Sequence, residues 1–317
     1  MTSEFAPITS PVVVLVGPTA IGKTELSLTM AAEFGCEIIS MDSIQVYRHM
    51  DIGAAKATLE ERQRVRHHLI DIVDPDEQYD AARFVTDALA AIAAICARGC
   101  IPLITGGTGL YLSALLNGLF DEIKGSAEIR DSLRQRLQDE GREALHRELC
   151  RIDPESGARI HLNDTQRLLR GLEIFLATGV PWSEHLRGQT RHPLPNRFPH
   201  LLQLGLSCER ELLYERIQMR SFNIMQDAFQ AEVESLLAMG YGRHLPSMQS
   251  IGYRHMGNCI AGVWDKETAT EALVQDTRRY AKRQLTWFRR LANIQWRDIG
   301  QADAALADVA QFLHQIR

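Results

Sequence analysis

A lysine and a threonine close a run of small residues, Gly17-Pro18-Thr19-Ala20-Ile21-Gly22-Lys23-Thr24, at the spacing G-x-x-x-x-G-K-[ST]. Small side chains let successive backbone N–H groups face one phosphate, and the helix N-terminus that follows adds positive potential. Lys23 would cap the terminal oxygens, and the Thr24 hydroxyl would hold Mg2+. A plain strand-to-helix turn has no need of Lys-Thr at its end, so phosphate binding is the expectation. The spacing does not say which phosphate.

Asp42 follows the apolar run 36–41 and should leave the sheet at the same carboxyl edge as the phosphate loop. A carboxylate there is the leading candidate for a general base, although Asp also caps helices and turns. A nucleotide hydrolase usually ends a neighbouring apolar strand in an acid. Here residues 101–105 run instead into Gly106-Gly107-Thr108-Gly109, which implies a bare backbone surface with room for a bulky ligand. Transfer is favoured over hydrolysis. A small-molecule phosphotransferase and a noncatalytic RNA-binding ATPase remain open at this point.

The elements that must position these groups alternate. Residues 12–16 read as a buried strand, 25–34 as a helix stopped by Gly35, and 36–40 as a second strand. Strand 68–72, helix 81–97 and strand 101–105 repeat the pattern, which implies a parallel α/β sheet. A short helix through Leu116 follows, then charged helices over 129–151 and a helix over 165–176. The segment 179–199, rich in Pro, Gly and His, reads as irregular. Strand character returns at 201–207, followed by helices over 209–220, 227–239 and 266–291 and a last strand at 294–298. The predicted architecture is an α/β P-loop NTPase-like parallel sheet flanked by helices, with an inserted all-helical domain. The core spans 1–121 and 199–317, and the insertion 122–198.

At 317 residues the chain suits two units, and 45% apolar with 24% charged residues suits packed cores. The longest apolar stretch, 88–97, falls short of the roughly 20 residues of a membrane span. Residues 1–11 lack the basic start and apolar centre of a signal peptide, and the six cysteines form no CxxC pair, so a reducing cytoplasm and no zinc are expected. The net charge of −5 leaves room for a local basic face. Residues 277–297 supply one: seven Lys or Arg without an acid, interleaved with Tyr280, Trp287, Phe288 and Trp296. Trp287 reads as core, and the cations as a face that can follow a phosphate backbone.

Taken with Gly17 to Thr24, the stretches Asp42-Ser43-Ile44-Gln45-Val46-Tyr47-Arg48, TGGTGLY at 105–111, Asn163-Asp164-Thr165-Gln166-Arg167, Ile251-Gly252-Tyr253-Arg254 and TRRYAKRQLTWFR at 277–289 resemble, in order, the bacterial-type tRNA dimethylallyltransferase family. The resemblance covers about 270 residues. It implies transfer of a dimethylallyl group from its diphosphate to the exocyclic amine of the adenosine 3′ to the anticodon, with diphosphate leaving and no NTP consumed. It implies Asp42 as base, and Lys23, Thr24, Mg2+ and Arg220 on the diphosphate. Contacts to tRNA are expected from Asp42, Ser43, Ile44, Gln45 and Thr108 near the flipped base, and from Arg130, Gln166, Arg167, Leu168, Leu169 and Arg170 in a mobile clamp. Arg278, Arg279, Lys282 and Arg283 would complete them on the basic stretch. A monomer in the cytoplasm is expected. Three residues depart from the family pattern: Ile21 where Ser is usual, His255 where Gln or Glu is commoner, and Gly171 for Ala.

Overall fold

The computed structural model describes residues 7–118, 126–191 and 196–316. The chain forms two compact units, 1–116 with 196–317, and 117–195. The expected insertion is helical, with limits a few residues before 122 and 198; the boundary at 121 and 122 lies outside the described residues.

The larger unit is a six-stranded, wholly parallel sheet. Its strands are β1 Val12–Val16, β2 Cys36–Met41, β3 His67–His68, β4 Ile101–Gly106, β5 Leu201–Ser207 and β6 Gln295–Asp298, in the order β3-β2-β4-β1-β5-β6. Alternation along β1 divides the core cleanly. Val12, Val14 and Val16 join one apolar cluster, and Val13 and Leu15 join the other. A strand buried on both faces needs such an unbroken β-branched run.

The helices of this unit are α1 Lys23–Phe34, α2 Leu59–Arg64, α3 Ala81–Ala97 and α4 Gly109–Asn117. In the smaller unit follow α5 Ala127–Asp139, α6 Gly141–Ile152, α7 Pro154–Arg159, α8 Thr165–Thr178 and α9 Trp182–Arg191. The chain then returns to α10 Arg210–Ile224, α11 Asp227–Ala238, α12 Tyr253–Ile260, α13 Lys266–Phe288 and α14 Ala302–Ile316. Helices α3, α4, α11 and α12 cover one sheet face, and α1, α10 and α14 cover the other. Gly35 at φ 69° closes α1 and Asp80 caps α3 through the Ala82 and Arg83 amides, as the sequence suggests.

Four expectations change. The strand expected at 68–72 stops at His68, because Leu69 and Asp71 take φ of 61° and 59° and turn their amides away from the ladder. The segment 179–199, read as irregular, contains α9. Arg220, expected after a helix, lies within α10, which runs one turn further. Helices α12 and α14 were not foreseen as separate elements.

The smaller unit has its own core of Leu133, Leu145, Leu149, Ile160, Leu168 and Leu172. Buried Asp153 ties two of its helices together, accepting from Ser156 N at 3.0 Å and Ser183 N at 2.9 Å. Gly171 has a packing reason: a Cβ there would sit 3.0 Å from Leu149 Cδ1.

Candidate active site

Adjacent strands β2, β4 and β1 empty at one carboxyl edge, where open parallel sheets hold their ligands. β1 leads into the phosphate loop, β2 ends one residue before Asp42, and β4 ends in Gly106. Gly22 at φ 106° begins α1 without a side-chain cap, leaving the first helical N–H groups open to an anion. Ile21 is buried in the core beneath the loop. Its replacement of Ser therefore changes the packing under the loop and keeps the backbone N–H.

The Lys23 ammonium donates to Gly17 O at 3.0 Å and Pro18 O at 2.8 Å. Burial first, and then the Arg220 guanidinium, pull its pKa from 10.5 down to about 7, against the Asp42 carboxylate, which raises it. Burial also lowers the Arg220 pKa, again opposed by Asp42. The three charges share one field of two cations and one anion, which further negative charge would balance.

Asp42 Oδ1 accepts from Ile44 N at 2.8 Å and Gln45 N at 3.3 Å, a turn of the kind Asp commonly makes. That leaves Oδ2 without a hydrogen bond among the described residues. Ser43 and Ile44 are half-buried in this turn. Gln45 is committed elsewhere. Its Oε1 accepts from Ser40 Oγ at 2.8 Å, and its Nε2 donates to Ala54 O and Ala55 O at 3.3 Å. These bonds make Gln45 a strut that shapes residues 42–57. Glu232 holds the same segment from α11, accepting from Asp51 N, Ile52 N, Gly53 N and the Tyr253 hydroxyl.

The glycines after β4 do not leave an open surface. A Cβ on Gly106 would meet Met41 O at 2.1 Å, one on Gly107 would meet Gln284 Nε2 at 2.1 Å, and one on Gly109 would meet Trp287 Cδ1 at 2.2 Å. The room expected for a ligand above Gly107 and Gly109 is filled by α13. Between them, Thr108 Oγ1 is buried with no hydrogen-bond partner among the described residues. Tyr280, one turn before Gln284, joins this group: burial and then the Asp42 charge raise its phenol, while the Thr108, Arg283 and Gln284 side chains act the other way.

Helix α13 has two faces. Lys282 and Arg283 are exposed, as are Arg289 and Arg290 just beyond its end, and Arg279 pairs with Asp276 at 3.2 Å. Arg278 is half-buried; it stacks 5.0 Å over the Tyr214 ring and donates to Gln218 of α10.

In the smaller unit Gln166 and Arg167 are exposed on the first turn of α8, and Arg167 pairs with its N-cap Asp164. Leu168 is fully buried and Leu169 packs on the same core, so their side chains support the helix instead of meeting RNA. Arg130 and Arg170 converge on buried Glu173 at 2.6 and 2.7 Å. Burial alone would raise that carboxyl, but Arg170 and Arg130 hold it below the usual range.

Four site residues escaped the sequence reading. Glu232, Tyr280 and Gln284 lay among helical residues read as packing or as a basic stretch. Arg216 donates from Nε to Ala20 O at 2.9 Å, steadying the loop where Ala20 takes φ 64°. Its signal was the i, i+4 spacing with Arg220 on a helix following a strand.

The family model described as IPP transferase matches residues 45–291, and that described as isopentenyl transferase matches 10–78. The tRNA dimethylallyltransferase of Desulfotalea psychrophila is 52% identical over 289 residues, 91% of each chain. That of Geobacter metallireducens is 45% identical over 303 residues, covering 95% of this chain and 97% of its own. Among solved structures, the tRNA isopentenylpyrophosphate transferase of Bacillus halodurans aligns over 97% of this chain and 98% of its own, with TM-score 0.70 and 38% identity. A eukaryotic dimethylallyltransferase acting on tRNA aligns over 92% of this chain and 74% of its own, with TM-score 0.76 and 30% identity. With its phosphate loop, the turn at Asp42 and these matches over nearly its whole length, the chain belongs to the tRNA dimethylallyltransferase family.

Proposed function

We propose that this chain, which as a member of its family transfers a dimethylallyl group to tRNA, takes that group from dimethylallyl diphosphate held in the loop Gly17 to Thr24. The observation that carries the reading is the shared field of Lys23, Arg220 and Asp42 at an edge where β4 ends in glycine instead of an acid. Breaking the allylic C–O bond builds negative charge on the departing diphosphate. Lys23, Arg220 and the first amides of α1 would stabilise that charge where it develops.

The acceptor is the exocyclic amine of the adenosine 3′ to the anticodon, turned out of its stack at a cost of a few kcal/mol. An adenine amine attacks only as it loses a proton, and Asp42 Oδ2, free while Oδ1 is fixed by two backbone amides, is the acceptor for it. Ser43, in the turn after β2, and Thr108, whose N–H donates to Met41 O at the end of that strand, would be the polar contacts for the base. The exposed cations of α13, with Gln166 and Arg167 on the helical unit, are the contacts to the RNA backbone.

Thr24 is exposed at the start of α1, and the described residues contain no cluster of three His, Cys, Asp or Glu side chains. One hydroxyl beside a diphosphate fits Mg2+, which is commonly held by phosphate and water oxygens with few protein ligands. When bound, the ion would neutralise part of the leaving diphosphate's charge. We further propose that the protein acts as a monomer in the cytoplasm.

Incubation with radiolabelled dimethylallyl diphosphate and unmodified tRNA, without ATP, tests the reading. Label is expected in the RNA, with release of one diphosphate per group transferred. Unlabelled RNA, or a requirement for ATP, would overturn it.

A further inference from the structure

We propose that Gln284 is a positioning residue of the diphosphate site, whose side-chain amide holds the loop 17–22 open for its ligand. The proposal rests on the reading of that loop as the donor site. Gln284 is 5% exposed and reaches from α13 between two segments that are far away in sequence. Its Oε1 accepts from Thr19 N at 2.9 Å, and its Nε2 donates to Gly107 O at 2.9 Å. A side-chain amide can accept and donate at once; a carboxylate or an ammonium cannot. Gly107 is the matching half of the device, because a Cβ there would stand 2.1 Å from Nε2.

The loop needs support from outside. Lys23 bonds to the carbonyls of Gly17 and Pro18 and thereby draws the loop onto itself. Gln284 at Thr19 and Arg216 at Ala20 oppose this from the flanks, and neither uses an amide of Gly22 to Thr24, where the anion is expected. Attachment of α13 does not depend on these bonds, since Leu273, Ala281 and Phe288 anchor the helix in apolar core. What the amide adds is a fixed distance between the loop and the turn after β4.

The test uses Gln284→Met, which keeps length and apolar volume and loses both hydrogen bonds, and Gly107→Ala, whose Cβ displaces the amide while residue 284 stays Gln. Binding of inorganic diphosphate is measured by calorimetry without RNA, beside thermal unfolding, steady-state kinetics and binding of an anticodon stem-loop RNA. Gln284→Met is expected to weaken diphosphate binding about tenfold, as two stranded backbone groups imply. The KM for dimethylallyl diphosphate should rise correspondingly, with kcat and RNA binding close to wild type. Gly107→Ala should reproduce the split, and carries the comparison if Gln284→Met does not fold. Variants that unfold at lower temperature yet bind diphosphate like wild type would overturn the proposal. Wild-type protein that binds no diphosphate would instead overturn the donor reading on which it rests.

Discussion

On the proposed reading of the loop as a diphosphate site, Lys23 should make ligand binding a proton-coupled event. Burial and then the Arg220 cation pull its pKa down to about 7, against the Asp42 carboxylate. A bound diphosphate would supply counter-charge to Lys23 and Arg220, so the lysine should be protonated in the complex. Binding at pH 8 then takes up about 0.9 proton, because only about one empty site in eleven carries the charge one unit above a pKa of about 7. Above pH 7 the dissociation constant should rise about tenfold per pH unit, or 1.36 kcal/mol. Below pH 7 this contribution is constant. The perturbation is Lys23→Met, and the measurement is calorimetric titration with inorganic diphosphate in buffers of different ionisation enthalpy. Ionisation of the ligand itself cancels in the comparison with wild type. The wild-type advantage should be flat below pH 7 and vanish progressively above it. Equal proton uptake by the two proteins at pH 8 would refute the reasoning. The sign for folding is opposite to that of a salt-bridged lysine. Between about pH 7 and 10.5 the unfolded chain holds the Lys23 proton and the folded one does not, so this group's contribution to stability improves as pH rises.

Asp42→Asn keeps an acceptor for the Ile44 and Gln45 amides and loses the base; single-turnover transfer should slow at least about a hundredfold, with diphosphate binding no weaker. A rate within tenfold of wild type would remove Asp42 from that role. Lys56, 1% exposed at its side chain, donates to Tyr47 O, Asp51 and Asp71, so Lys56→Met should cost about 3 kcal/mol in denaturant unfolding and loosen residues 42–57. A loss under about 1 kcal/mol would show that the segment is held without it. Glu37, held by Arg98 against the cost of burial and helped by His68, has its carboxyl drawn down to about 2. Its contribution, about 2 kcal/mol after allowance for solvent screening, should be present at pH 7 and disappear as pH falls from 4.5 towards 2. A wild-type advantage over Glu37→Gln that stays level between pH 7 and pH 3 would contradict this.

Local chemistry was legible wherever one segment settles it. The loop, its strand and its helix form a contiguous unit, and Asp42 follows directly from the end of β2. Legibility failed where a residue's meaning lies in a distant partner. Residues 68–72 carry strand composition, yet the amides of Asp71 and Ile72 bond to carbonyls of the turn after Asp42, at Gln45 O and Val46 O. Nothing near Gln45 in the sequence announces its bonds to Ala54 and Ala55. Leu168 sits in a motif read as an RNA contact and is a core residue, because a helix must bury one stripe whatever its other faces touch.

The glycine run after β4 and the basic stretch of α13 are one feature divided by the chain. Tyr280, Gln284 and Trp287 recur at i, i+4 and i+7, the stripe of a helix that buries one face, but the Lys and Arg between them dominate any count of charge. Gly107 and Gly109 are the complementary surface, 177 residues away along the chain in the case of Gln284. Read alone, missing side chains look like space for a ligand, and cations look like a solvated helix face. Set together, they place one helix against the loop 17–24 on its buried side and leave its basic side outward, so the exposed cations at 279, 282 and 283 and the amide that holds Thr19 ride on the same helix.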